Sequence, residues 1–240
     1  MKISVVTWNM DNWKRTHQQR NTAWSYLTEN VSADIMLLQE FAPQSKTDDK
    51  YNILFKEIGD KRRWGSAVIT RNLQIEEVKF KNSYPGAVVV ADVTLPNEKI
   101  LTVISLYGMF DEEGYVTAAL HRVLSDLTPL LHKEKNKRLF VIAGDYNLSK
   151  QWDERFKHRD PAHAIFFDRL EDFGLVDCTF QYFNKHVQTN RHTRSDFPWQ
   201  NDYIHVSREL AKKLVTCEVK DDPLVYELSD HNPVIATFEV

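Results

Sequence analysis

No apolar run in the 240-residue chain approaches the ~18 residues that a membrane-spanning helix needs. Cysteine is scarce as well. Cys178 and Cys217 stand far apart in no Cys-x-x-Cys arrangement, which leaves one disulfide or, the better reading, two buried free thiols in a reducing compartment. The 7 glycines and 8 prolines are scattered at turns, with no repeat, low-complexity tract or flexible linker, so residues 1–240 read as a single domain. Basic residues are not in excess: 31 Lys and Arg face 34 Asp and Glu, for a formal charge of −3. That balance excludes a surface that follows DNA phosphates over its whole extent, so a polyanionic substrate must meet a local patch or a metal ion. The opening "MKISVVTWNMDNWKR" turns polar by Asn9 and offers no small-residue cleavage site. It reads as a first core strand rather than a signal peptide, and the expected location is the cytoplasm.

Aromatic side chains are plentiful, with 13 Phe, 9 Tyr and 6 Trp in a chain that is 42% apolar, enough for a sizeable core. "KISVVTWNM" alternates as a strand, with Val5, Thr7 and Asn9 on one face and Val6 and Trp8 on the other. A helix follows over roughly 17–30, then a short apolar strand ending at Glu40. Residues 63–70, 74–81, 87–95 and 99–107 read as successive strands, the last two joined by the turn "LPNEK" and therefore antiparallel. Val116, Ala119, Leu120, Val123, Leu124, Leu127 and Leu131 form one helical stripe, expected to end or kink near Pro129. "RLFVIAGDYN" is an apolar strand that stops at a polar loop. Residues 161–173 form another helix with Gly174 beyond its end, and "NDYIHVS", "VTCEVK" and "PVIATFEV" supply the last strands. The pattern is one of mixed sheets covered by helices.

One feature recurs at these strand ends. Apolar strands run into Asn9 and Asp11, Glu40, and Asp145 and Asn147. Two more strands start from Asp202 and from Asp230-His231, and "LTVISLYG" ends on Tyr107. A polar residue at any one strand end needs no explanation beyond solvent. The set as a whole, however, is carboxylate and amide rather than Lys, Arg or Ser. These are the hard oxygen ligands that Mg²⁺ or Mn²⁺ takes, joined by one imidazole that titrates near neutrality. Converging carboxylates stay ionised together only around a cation, and an acid–imidazole pair beside it suits activation of water. Phosphate-ester hydrolysis is the natural chemistry of such a group.

The ordered set "TWNMD", "LLQE", "SLYG", "AGDYN", "NDYIHVS" and "SDHNP" resembles the endonuclease/exonuclease/phosphatase superfamily from residue 7 to residue 233. The resemblance implies an α/β fold: a four-layer α/β sandwich, two mixed β-sheets packed face to face with helices outside. It implies Glu40 as the principal ligand of Mg²⁺ (Mn²⁺ as an alternative), with Asn9, Asp11 and Asp230 close to the metal. Asp145 and Asn147 match the Gly-Asp-x-Asn pair that handles nucleophile or leaving group and orients the phosphate. His231 is implied as catalytic and Asp202 as the acid that hydrogen-bonds it, with the base left open between His231 and Asp145. Tyr107 stands where exonuclease III-like and abasic-site enzymes carry tyrosine. Gln200-Asn201 and Thr189-Asn190 depart from the nuclease pattern, which often has Arg-Ile and Thr-Trp there.

The expected function is a metal-dependent phosphodiesterase, a nuclease on DNA or RNA or a nucleotide phosphodiesterase, working as a monomer without membrane or protein partner. The alternative is a phosphatase or phospholipase-type hydrolase on a small phosphorylated or lipid substrate. A catalytically silent binding module fits poorly, because every expected catalytic residue type is present. Arg191, His192 and Arg194 beside Trp199 suit a phosphate clamp with a stacking platform, or equally a solvated basic loop. Trp13 and Trp152 follow catalytic motifs and read as cleft lining or as ordinary packing. The basic run 60–65 stays open in the same way, and 132–138 reads as an exposed turn.

Overall fold

The computed structural model describes residues 1–43, 49–59, 62–111, 114–134, 139–159 and 161–240. Two six-stranded mixed sheets form its centre. One runs in the order β11 (Leu214–Val219), β12 (Val234–Glu239), β1 (Lys2–Asn9), β2 (Ile35–Phe41), β4 (Gly65–Arg71), β3 (Tyr51–Glu57). The other runs β5 (Ile75–Glu77), β6 (Val88–Thr94), β7 (Ile100–Leu106), β8 (Leu139–Asp145), β10 (Asp202–Ser207), β9 (Leu175–Asp177). The helices are α1 (His17–Ser25), continued by a π-helical turn over Tyr26–Val31, then α2 (Val116–Glu134), α3 (Lys150–Arg155), α4 (Ala162–Asp172), α5 (Cys178–Phe183), α6 (Arg208–Ala211) and α7 (Pro223–Leu228).

Strand alternation sorts the side chains into four layers. Val5, Ile35, Leu37, Val103, Val141 and Ile204 point between the sheets and form the central core. On the outer face of the first sheet, Val6, Trp8 and Met10 pack with Leu27 and with Val225 and Leu228 of α7. On the outer face of the second, the α2 stripe meets Phe140 and Ile142 of β8 together with Phe166, Phe167 and Leu170 of α4. Both cysteines are buried and free, as expected. No helix is long and apolar enough among the described residues to cross a membrane.

The sequence reading needs correction in five places. β3 was not anticipated: it is a sheet-edge strand with half-exposed residues, so its alternation is weak. The stretch 74–81 keeps only three strand residues, and β4 starts two residues later than expected. Helix α2 continues through Pro129 to Glu134. Pro129 and Ser125 lie on the solvent face, so the carbonyl that loses its donor can turn to water. The short β9, α3, α5, α6 and α7 lack enough turns or alternation to show a period.

Strand direction brings the polar ends together. β1 and β2 are parallel, as are β7 and β8, so their carboxyl ends lie at one edge of each sheet. β12 and β10 run antiparallel to β1 and β8, so they begin where those strands stop. Beneath this edge a buried polar group ties the sheets. Gln39 Nε2 donates to Ser105 Oγ at 3.0 Å and to the Leu37 carbonyl at 3.0 Å. Thr7 Oγ1 lies 3.2 Å from Gln39 Oε1, and Ser105 Oγ donates to the Leu38 carbonyl. Gln39 is fully buried, and losing it leaves a cavity and weakened polar partners. Gln39→Ala is expected to lower the unfolding free energy by about 2–3 kcal/mol in urea titrations. A change within the error of the wild-type value would mean that this bridge contributes nothing to joining the sheets.

Candidate active site

Asn9 ends β1 and reaches across the gap between sheets. Its Nδ2 donates to Asp145 Oδ2 at 2.9 Å, while its Oδ1 accepts the Asp11 N–H at 3.0 Å. Asp145 ends β8, and its other oxygen accepts the Asn147 N–H at 2.8 Å. Asn147 Nδ2 in turn donates to the Gly108 carbonyl at 3.0 Å. A Cβ on Gly144 would lie 1.7 Å from the Leu106 carbonyl oxygen, so only glycine lets β8 approach β7 just before Asp145. Asp11, Glu40 and Asn147 all adopt left-handed backbone, with φ of 48°, 47° and 50°. Asp11 and Asn147 turn the chain just past a strand end, and Glu40 forms a bulge next to the last residue of β2. For Asp11 and Glu40 the strained turn is locked by Met10 N–H to Gln39 O and Asn12 N–H to Glu40 O.

His231 enters from the turn before β12. Its Nδ1 is 2.8 Å from Asp202 Oδ2, and its Nε2 is 3.7 Å from Asp145 Oδ2 and 3.9 Å from Asp230 Oδ1. The backbone that carries the ring is anchored three ways. Trp8 Nε1 donates to the His231 carbonyl at 2.9 Å, the His231 N–H donates to Ser229 Oγ at 3.0 Å, and Ser229 Oγ donates to the Asn9 carbonyl at 2.7 Å. The Asn190 amide lies 2.9 Å from Nε2. Asp202 is set by its own backbone, since Thr189 Oγ1 accepts the N–H groups of Asn201 and Asp202. Asn190, Thr189, Trp8 and Ser229 were missed as site residues. The one signal was that Thr189-Asn190 breaks the expected Thr-Trp pairing.

Burial and charge set the protonation of this group. Burial works against the His231 imidazolium, but Asp202, then Asp145 and Asp230, outweigh it and lift its pKa to about 10. Asp145 is pushed up to about 7 by burial, against the opposing pull of His231. Asp11 is raised to about 6 by burial first and by Asp230 next, with Glu40 adding to it and Lys14 and Arg15 pulling it down. Burial, then the charges of Glu40 and Asp145, push the Tyr107 hydroxyl far up, so it stays protonated and hydrogen-bonds Glu40.

Two residues not singled out from the sequence hold the acidic end together. Lys14 Nζ is 3.3 Å from Asp11 and 3.6 Å from Asp230, and Arg15 Nη2 is 2.8 Å from Asp11. Both Asp11 carboxylate oxygens are buried and meet these cations as charges, without an aligned hydrogen-bond donor. Oxygen donors that are buried, mutually repelling and short of hydrogen bonds fit a hard divalent cation. As carboxylates, the implied set Glu40, Asp11 and Asp230 suits Mg²⁺ or Mn²⁺. Of the three only Asp11 is both buried and short of hydrogen bonds, since Glu40 accepts from Tyr107 and Asp230 is half-buried. Asn9 already spends its amide on Asp145 and Asp11. The atoms of Asp145, Asp202 and His231 also lie within 4.8 Å of one another. There the 2.8 Å contact between Nδ1 and Asp202 is a hydrogen bond, whereas Nε2 stands 3.7 Å from Asp145.

The loop of basic residues divides. The Arg191 guanidinium lies 3.7 Å over the Tyr226 ring, donates to the Ser229 carbonyl and Asn232 Oδ1, and pairs with Asp221. It braces the turn that carries His231. His192 and Arg194 are exposed. Trp199 joins Phe197 and Trp152, with ring centroids at 4.3 and 5.8 Å. Arg155 lies over Phe197, and Arg159 over Trp152 and Phe156, which extends an aromatic and basic surface that the sequence only half revealed. Asp60 and Lys61, and residues 135–138 of the second basic run, lie outside the described residues.

Solved structures share this architecture. An AP endonuclease from Leishmania major is 19% identical with a TM-score of 0.76, covering 100% of this chain and 88% of its own. An AP endonuclease from Archaeoglobus fulgidus is 20% identical with a TM-score of 0.70, covering 99% and 100%. A 3′ phosphatase from Neisseria, bound to product DNA hairpin, is 17% identical with a TM-score of 0.73, covering 99% and 100%. At these identities the likeness is one of fold. No curated protein sequence matches the chain. The profile of the Endonuclease/Exonuclease/phosphatase family matches residues 6–231, and the chain belongs to that family.

Proposed function

We propose that the chain is a divalent-metal-dependent phosphodiesterase that cleaves nucleic acid or a nucleotide ester, as a single-domain monomer. The observation that carries this reading is the line Asp202–His231–Asp145, with Nδ1 bound to one acid and Nε2 facing the other. Glu40, with Asp11 and Asp230, would hold the ion, which when bound offsets charge on the non-bridging phosphoryl oxygens. The free buried thiols fit a reducing, cytoplasmic setting. Two of the fold neighbours are named as AP endonucleases and a third as a phosphatase bound to DNA, which favours nucleic acid as the substrate.

The protonation pattern divides the work between two groups. Asp145, lifted towards neutrality, takes the proton of the attacking water. His231, whose imidazolium Asp202 favours, presents Nε2–H to the charge that develops on the phosphoryl oxygens once the Asn190 Nδ2, 2.9 Å from Nε2, swings aside. Asn9 and Asn147 flank Asp145; each spends one amide N–H, on Asp145 and on the Gly108 carbonyl, and the second N–H of each NH2 would serve the same oxygens. Tyr107 keeps its proton and orients Glu40. With Arg191 committed to its turn, His192, Arg194 and Trp199 are the members of that loop left to touch substrate. The withdrawal of Arg191 and the net negative charge also favour, as a second reading, a small phosphate ester that needs no extended phosphate track.

Asp145→Ala and His231→Ala are each expected to lower kcat by 10²–10⁴-fold with the fold retained. The assay is a labelled panel of single- and double-stranded DNA, abasic duplex, RNA, cyclic dinucleotides, sphingomyelin and inositol phosphates, in Mg²⁺, Mn²⁺ and EDTA. Wild-type rates from either folded variant, or full activity in EDTA, would remove the basis of the mechanism. Turnover of small esters alone would select the second reading.

The pH profile of kcat follows from the same assignment. Activity rises as Asp145, which burial lifts above the usual carboxylate range, loses its proton, and falls at alkaline pH as His231, held charged by Asp202 and Asp145, loses its own. Asp202→Asn removes the main charge that holds the imidazolium, so the alkaline limb moves to lower pH. An alkaline limb unmoved by that substitution would take His231 out of the acid role.

A further inference from the structure

Beyond Glu40 and Tyr107 opens a cavity of 400 Å³ whose other walls are Trp13, Arg62, Trp64, Met109 and Phe110. Neither Asp202 nor His231 lines it. Trp64 meets Tyr107 edge-on at 5.8 Å, and the Arg62 guanidinium lies 5.1 Å over the Trp64 ring. Trp13 is 53% exposed and Phe110 55%, so two large aromatic faces are left open to solvent at the rim. The Lys14 ammonium stands 4.8 Å from the Trp13 ring. A pocket with aromatic faces, two cations at its edge and a wall shared with Glu40 suits a flat π-ring carried on an anion. Its volume is that of a small-molecule site, roughly one nucleotide, and far below that of a duplex. A base inside a duplex has both faces covered by its neighbours and cannot offer one to Trp13 or Trp64.

We propose that this cavity holds one unstacked nucleobase of the nucleotide that bears the scissile phosphate, so that unpaired strands and nucleotide esters bind in preference to continuous duplex. The proposal rests on the phosphodiesterase reading above and names the substrate class of that same site.

The test is a dinucleotide of 2-aminopurine and thymidine joined by an uncharged methylphosphonate, made in both orders. The linkage is not hydrolysed, so binding is read from fluorescence quenching independently of catalysis. Quenching is expected for one order, with affinity weakened about 5- to 100-fold in Trp13→Ala and in Trp64→Ala. Trp13 is more than half exposed, so its removal leaves the fold intact. In turnover, the same variants should raise KM for a single strand and leave unchanged the KM for that strand with a tetrahydrofuran in place of the base. Absence of quenching, or an equal loss on the base-free strand, would overturn the proposal. Displacement of the dinucleotide by a tyrosine phosphodiester at lower concentration than by thymidine 5′-monophosphate would also overturn it, assigning the pocket to a protein-linked ring. Quenching without cleavage of any ester in Mg²⁺ or Mn²⁺ would leave the pocket standing and sink the phosphodiesterase reading. Cleavage without quenching would do the reverse.

Discussion

Repulsion among carboxylates governs the whole cleft. Asp11, Glu40, Asp145, Asp202 and Asp230 converge there, and all but Asp230 are buried. At an effective dielectric of 20, each like-charged pair 4 Å apart costs about 4 kcal/mol. The surrounding polar residues read as devices against that cost. Asn9 and the Asn147 backbone donate to Asp145, His231 stands between Asp145 and Asp202, and Lys14 with Arg15 covers Asp11. Asp145 and Asp11 still sit well above the ordinary carboxylate range, so the offset is incomplete. An incompletely neutralised set of oxygens can accept a further cation. A site balanced by side chains alone would have no affinity left for one.

Much of this was legible because strands advertise their ends. In "VVTWNMD", "LLQE" and "AGDYN" an apolar alternation stops at a carboxylate or amide, and the parallel pairing of β1 with β2 and β7 with β8 then carries those ends to one edge. Mixed sheets under helices followed from the strand alternation and the stripe of α2, while the four layers were implied by the family resemblance. What escaped detection has physical causes. β3 lies at a sheet edge and buries little, so its pattern is blurred. Asn190 sits in two isolated backbone bridges and Thr189 acts through its hydroxyl oxygen, both in a loop where no period marks them. Arg191 read equally as a phosphate ligand or as part of a solvated loop, because a basic loop next to tryptophan reads the same whether its guanidinium faces solvent or the Tyr226 ring. Only tertiary contact separates the two cases.

The strained turns explain why the acidic end is rigid. Asp11 and Glu40 both sit in the left-handed region, which costs a non-glycine residue about 1–2 kcal/mol. Glycine would relieve that strain and remove the carboxylate. The fold instead holds the strain with main-chain bonds between the tails of β1 and β2. A loop free to relax would let the carboxylates drift apart and lower their repulsion, and the cation affinity of the set would fall with it. Rigid backbone and unfavourable charge are therefore one device: the first keeps the second from dissipating.

Net charge adds a last constraint on how a polyanion reaches such a cleft. At −3 the molecule as a whole offers no long-range attraction, and an acidic centre repels a bare phosphate. Approach must come from the rims, where Arg155 and Arg159 lie over Phe197, Trp152 and Phe156 on one wall, and Arg62 lies over Trp64 on another. On both walls the cation rests on an aromatic face rather than standing free. A guanidinium on a ring keeps its charge while its hydration is thinned, so it can pair with phosphate while the ring beside it offers a surface to a base. That combination selects ligands carrying both groups. On the proposed reading, it would give an acidic protein a means of gathering nucleotides that bulk electrostatics does not provide.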